Sequence, residues 1–151
     1  HIVGRSPAAA VGALAGDAVV VTGTVPDVRP YLQHAAVVVA PLRLARGVQN
    51  KVLEAMAMAR PVVAAAACVE AIEARPGVDL LPAHDASDYV GLIDRLLHEP
   101  QRAAAVGRSA RERVVSTYSW TAQLAALDAY LAAPVAALPV ASLRTDLTEV
   151  S

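Results

Sequence analysis

An α/β fold with a parallel sheet is what this sequence predicts, and three observations carry the expectation. Short apolar runs that do not alternate with polar residues recur at residues 1–4, 18–22, 36–40 and 62–64, the pattern of strands covered on both faces. Helical stretches separate them, and strand and helix in alternation is the order that builds a parallel sheet. More than a fifth of the residues are Ala, only 3% are aromatic and Phe is absent. A core of small aliphatics follows, suited to close contact between helices and a sheet.

Taken in order, His1-Ile-Val-Gly4 reads as the end of a buried strand. A short helix is expected at Pro7–Ala15, with Ser6 as N-cap and Pro7 in the first helical position. Ala18–Thr22 is the second strand, closed by Gly23, and a helix near Asp27–Ala35 is capped by Asp27. Ala36–Ala40 is the third strand and Pro41 ends it. A loop, Leu42–Gln49, leads to a strong helix at Asn50–Ala59, rich in Ala, Leu and Met. Arg60-Pro61 stops that helix, and Val62-Val63-Ala64 begins the fourth strand. A short helix over Val69–Ala74 and a fifth strand at Val78–Leu81 follow. The remainder is helical, at Ser87–His98, Gln101–Val115 and Trp120–Ala132, separated by Pro100 and by Tyr118-Ser119. This gives one domain over residues 1–133 and an extended tail over 134–151, where two prolines and no sustained period occur.

Composition narrows the function classes. With 56% apolar residues among 151, the chain buries a core and is not disordered. Thirteen basic and fourteen acidic side chains leave a net charge of −1, which argues against a broad nucleic-acid or anionic-lipid surface. Any anion must be caught at a local site. Cys68 is the only cysteine, so an intrachain disulfide is excluded, and it reads as a small core residue in a reducing compartment. No apolar run reaches the ~20 residues of a membrane span, and the N-terminus has no signal-peptide pattern.

The chemistry concentrates between Pro41 and Ala57. A strand ends, a loop with one glycine, Gly47, approaches, and a helix begins near Asn50. Unpaired N–H groups around Gln49, Asn50 and Lys51 then point toward the strand ends, where free donors and the positive end of the helix dipole attract anions. Arg43, Arg46 and Lys51, the only lysine in the chain, cluster there as a phosphate cradle. Glu54, one turn on, is placed to accept hydrogen bonds from ribose hydroxyls, as acidic residues do in dinucleotide folds. On pattern alone a plainer reading stands beside this one, with Glu54 complementing the helix dipole and Lys51 solvating the surface.

The run Gly47…Asn50-Lys51-Val52-Leu53-Glu54-Ala55-Met56-Ala57, followed by Pro61-Val62-Val63-Ala64, resembles the signature of the nucleotide-sugar-dependent glycosyltransferases of the GT-B fold, family four, the group 1 transferases. Ile2-Val3-Gly4, Thr22-Gly23-Thr24-Val25 and Ala36–Pro41 are similar to that family's strand ends upstream. Gly77–Pro82, Leu96–Pro100 and Tyr118-Ser119-Trp120 are similar to its closing strand and helices, so the resemblance is collinear over about residues 1–132. The stretch Leu42–Lys51 most resembles exosortase-associated exopolysaccharide sugar transferases.

The resemblance implies a Rossmann-like domain, the C-terminal half of a GT-B fold without its first strand and helix. It implies sugar transfer with retention from a nucleotide diphosphate sugar, no cofactor and no metal. Residue by residue, Glu54 matches the glutamate that binds the donor ribose, and Gln49, Asn50 and Lys51 match the turn that holds the diphosphate. Thr24 and Val25 match the loop against the nucleobase, and Arg5 follows a strand end near the same pocket. The family's glutamate at the transferred sugar falls on Arg46 here, a departure that favours a negatively charged sugar or phosphate binding. The acceptor, a glycan or lipid-linked sugar, would be bound by a separate N-terminal domain, and the full parent would work in the cytoplasm or at the inner face of the membrane. Strand edges left open by a missing first strand would drive self-association. The alternative, suggested by Arg46, is a non-enzymatic α/β interaction module that has kept the fold and lost catalysis.

Other residues receive structural readings. His34 and His98 are helix-end residues, His84 a loop residue, and Met56 and Met58 core fillers. Tyr118 and Trp120 are expected to staple the last helices together. Arg111, Glu112 and Arg113 read as an ordinary solvated helix face.

Overall fold

The computed structural model describes residues 1–42 and 47–132. The expected tail, 134–151, and both Arg43 and Arg46 lie outside the described residues. The fold is α/β, with parallel strands flanked by helices as expected, but the strands form two sheets. β1 (Ile2–Val3) pairs in parallel with β2 (Val21–Gly23). β3 (Val38–Ala40), β4 (Val62–Ala65) and β5 (Leu81–Ala83) form the second, in the order β3-β4-β5. Val38, Val39 and Ala40 stand opposite Val62, Val63 and Ala64 in unbroken register.

β4 is the centre of the molecule. Val62, Val63 and Ala64 are fully buried, as a strand with neighbours on both edges and helices on both faces must be. One face packs under α3 (Asn50–Ala57) and α4 (Ala66–Glu70), where Val52, Ala55, Met56 and Cys68 meet Val62 and Ala64. The other meets α5 (Ala86–His98) through Leu96, with Val63, Leu81 and Ala83. α6 (Pro100–Tyr118) then crosses α3, and α7 (Trp120–Ala132) follows it.

The Ala-rich composition serves the crossing of α6 on α3. Gly107 sits so close to the end of α3 that an added Cβ would lie 2.2 Å from the Ala59 carbonyl oxygen. α3 ends there in a Schellman turn, Arg60 N–H donating to the Ala55 carbonyl (3.1 Å) and Ala59 N–H to that of Met56 (2.9 Å). Ala59 takes the left-handed position at φ 55°, where glycine is usual.

Several local expectations are corrected. The first helix, α1, is Ala9–Gly12 with Ala8 as N-cap, so Ser6 and Pro7 precede it; Ser6 lies at φ 50°, incompatible with the extended backbone of an N-cap. α2 is Arg29–His34 with Val28 as N-cap, and the Asp27 carboxylate accepts from the Arg29 N–H instead (2.9 Å). The fifth strand is shifted to Leu81–Ala83 because Gly77, Val78 and Asp79 form a turn. That turn buries Asp79, and a strand there would have sent the charge into an apolar layer. Trp120 is 82% exposed and staples nothing among the described residues. Tyr118 does pack on the core, and its hydroxyl accepts from the Glu73 N–H at 2.8 Å. Arg111 and Arg113 are not merely solvated, since Arg111 donates to the Ala57 carbonyl and Arg113 to Asp79.

The expectation that the first and third strands are covered on both faces also fails. Ile2 is 37% and Val39 40% exposed. Both belong to strands that line an open cleft between the two sheets.

Candidate functional site

The cleft, of about 780 Å³, is walled by Val3 of β1, Tyr31 of α2, Val37–Ala40 at β3, and Lys51, Val52 and Glu54 of α3. α3 begins at Asn50 because Gln49 turns from extended backbone into the helix (φ −94°, ψ 102°) and its carbonyl accepts from Val52 N–H (2.9 Å) and Leu53 N–H (3.2 Å). Among the described residues no side chain caps this start; the Gln49 amide donates to the Gly47 carbonyl (3.2 Å). The first N–H groups of α3 therefore have no partner within their own helix. Gly47 allows the approach, since its φ of 65° is left-handed and accessible to glycine at no steric cost.

Lys51 and Glu54 are both exposed on the first turns of α3 and both line the cleft. Val52, Ala55 and Met56, on the opposite side, are buried, so packing of the apolar face fixes where the two charges stand. Lys51 is close enough to the end of β4 to act on Cys68. Burial pushes the Cys68 thiol above its ordinary pKa, and the nearby Lys51 charge opposes the rise. Tyr89 closes the same end of the sheet, its hydroxyl donating to the Ala40 carbonyl at 3.2 Å, with its pKa raised by burial.

The remaining expected residues are spread along the strand ends. Arg5 and Thr24 are exposed on the loops after β1 and β2, and Val25 is half-buried; none of the three lines the cleft. Gln49 and Asn50 form the start of α3 without walling the cleft. Arg46 lies outside the described residues. Among the described residues no group of His, Cys, Asp and Glu is placed to hold a metal ion, and no helix is long and apolar enough to cross a membrane.

The strongest electrostatic feature is elsewhere and was not legible as a functional motif. Asp79 is fully buried, which opposes its ionisation. Hydrogen bonds from the Arg75 side chain (2.8 and 3.1 Å), Ser109 Oγ (2.6 Å), the Arg75 N–H (2.9 Å) and Arg113 (3.2 Å) outweigh burial and hold the carboxyl well below its usual range. This is a structural knot that ties α6 to the turn before β5. Arg at the fourth position before an Asp in an otherwise apolar run was the available signal.

The comparisons with known proteins agree with this architecture. The family model of the glycosyl transferases group 1 matches residues 1–99. A sucrose-phosphate synthase from Thermosynechococcus elongatus is similar at 31% identity and a TM-score of 0.64, over 77% of this chain and 31% of the synthase. HepE from Anabaena, solved in complex with UDP, is similar in fold at 18% identity and a TM-score of 0.62, over 74% of this chain and 32% of that one. The chain thus spans about a third of the length of each. No curated protein matches it. With a parallel α/β fold of this kind and a family match over residues 1–99, the chain belongs to the glycosyl transferases group 1 family.

Proposed function

We propose that this chain is the donor-binding half of a retaining glycosyltransferase that takes a sugar from a nucleotide diphosphate sugar, in exopolysaccharide or cell-surface glycan synthesis. The observation that carries the reading is the start of α3, where Lys51 and Glu54 wall one cleft beside the first N–H groups of the helix. The presence of UDP in the HepE structure supports the ligand class.

Departure of a diphosphate as positive charge develops on the sugar requires preorganised donors and cations at the leaving group. The N–H groups of Gln49, Asn50 and Lys51, with the Lys51 ammonium, supply them. Glu54 accepts from the ribose hydroxyls. Arg46 adds a second cation, and its position selects for a negatively charged sugar or grips the phosphates. Arg5, Thr24 and Val25 contact the nucleobase side. The acceptor, a glycan or lipid-linked sugar, binds polypeptide outside these residues, so the chain alone is inactive. Its setting is the cytoplasm or the inner face of the membrane. Alone, it self-associates through the open edges of β1 and β3.

Calorimetry with UDP and GDP tests the donor reading. Saturable binding of one of them, weakened at least about tenfold (1.4 kcal/mol) in Glu54→Ala, is the expected result. Absence of binding at millimolar ligand by a folded chain overturns it. That outcome would favour the second reading, an interaction module without catalysis, for which the observation is Arg46 in place of the expected glutamate. A donor panel in which uronate sugars show no advantage over neutral ones removes the role of Arg46 in sugar choice.

A further inference from the structure

We infer that a second pocket, where β3 and β4 begin, binds a phosphate monoester between Arg60 and Arg108. The chain directions give its place. α3 runs between the two pockets, with Lys51 and Glu54 on its first turns and Arg60 after its end. The second pocket, of about 410 Å³, is walled by the two arginines, by Ala36 and Pro61 at the strand starts, and by α5 and α6 where they meet around Leu97 and Pro100. No acidic residue is among these walls. The inference is independent of the donor reading, which rests on the other end of α3.

Arg60 carries the argument. Its Nη1 donates to the Ala35 carbonyl at 3.4 Å, a long bond. Its Nε is enclosed and has no partner, the one buried side-chain nitrogen or oxygen of which this is true among the described residues. Buried donors are nearly always paired, so an orphan of this kind marks a place for a group the chain itself does not supply. Arg108 adds a charge without a counterion, for it makes no hydrogen bond or ion pair among the described residues. Arg29, Arg75, Arg102 and Arg113, by contrast, each hold a carboxylate. Glu99, beside the wall residue Pro100, is the one Arg102 holds (3.5 Å), so it does not neutralise the pocket. Two guanidiniums at one pocket suit a dianion, because each offers a fork that takes phosphate oxygens in pairs. A carboxylate would neutralise one arginine and leave the other. A turn of the Arg60 side chain, which releases only its long bond to Ala35, brings Nε and Nη2 to the ligand. Ala36, Pro61 and Leu97 are apolar and receive the organic part of the ester. Soluble phosphate esters and a phosphatidic acid headgroup share this chemistry.

The test uses the 151-residue chain with 1-naphthyl phosphate as the soluble probe in calorimetry, and vesicles of phosphatidylcholine with and without phosphatidic acid in sedimentation. Saturable one-to-one binding of the probe with a Kd at or below about 1 mM is expected, with UDP present as without it. Arg60→Gln and Arg108→Gln are each expected to weaken binding at least about tenfold. Arg102→Gln, which removes a cation of α6 outside the pocket, is expected to change it less than about twofold. Arg108 is exposed, so its variant decides the matter should Arg60→Gln fail to fold. Capture of the chain by phosphatidic acid vesicles alone, lost in Arg108→Gln, supports the site and names the lipid headgroup as its source. Probe binding without capture supports it and names a soluble ester. Neither binding nor capture, by a chain with native circular dichroism, overturns the proposal. So does binding or capture that Arg108→Gln leaves unchanged, or that Arg102→Gln weakens equally. Displacement of the probe by UDP places it at the start of α3 and also overturns the proposal, whereas a chain that binds the probe and not UDP refutes the donor reading alone.

Discussion

The two sheets of this protein are built from the same kind of sequence and end in opposite states. β4 is a run of small apolar residues with neighbours on both edges, and Val62, Val63 and Ala64 are fully buried. β1 is equally apolar and β2 follows a run of valines, yet no residue before Ala40 is buried at all. The helices tell the same story: α1 and α2 contain no buried residue, whereas α3 hides Val52, Ala55 and Met56. Apolar character alone does not bury a strand. It does so only when both edges are paired and both faces covered.

Five substitutions probe that contrast, the largest effect first. Gly107→Val places side-chain atoms where the Ala59 backbone already stands, and should cost about 3 kcal/mol by overpacking, read from the urea midpoint. Val63→Ala, in the buried strand, should cost about 2.5 kcal/mol, while Val3→Ala in β1 should cost less than about 0.5 kcal/mol; similar values in thermal melts would erase the distinction drawn here. Asp79→Asn should cost about 2 kcal/mol, below the figure for a fully enclosed pair because Arg75 remains in contact with water. Because the folded-state pKa of Asp79 is depressed, its contribution is fully present above the ordinary carboxylate pKa and fades as pH falls through the folded value. The gap between wild type and Asp79→Asn should therefore be flat from neutral pH down to about pH 5 and narrow below about pH 4; a gap that widens in acid would exclude the ion-paired carboxylate as its source. Ala59→Gly, at a left-handed position, should raise stability by about 0.7 kcal/mol, seen as a small upward shift in the melting midpoint.

How much of this was legible depends on how local the cause is. The helix over α3, its stop at Arg60-Pro61, and the helices α5 to α7 follow from periodicity, propensity and punctuation within a few residues. The placement of Lys51 and Glu54 near one helix start was equally readable, because spacing on a helix is a local property. The burial of Asp79 was legible only in part, because Arg75 is a local partner but Ser109 and Arg113 lie on a helix far along the chain. The exposure of Trp120 was not legible, since it depends on what packs against α7.

The sequence by itself determined the class of structure, the order of strands and helices, and the family motif around Asn50–Glu54. Those rest on short-range patterns that survive without a partner. Only the tertiary structure decided that the strands divide into two sheets, that β4 is the centre and β3 an edge, and that a cleft runs between β1 and β3. The physical reason is that a strand's neighbours are chosen by hydrogen bonds between segments distant in sequence. An apolar run states that it is fit to be covered, and only the folded chain shows which edges are left open.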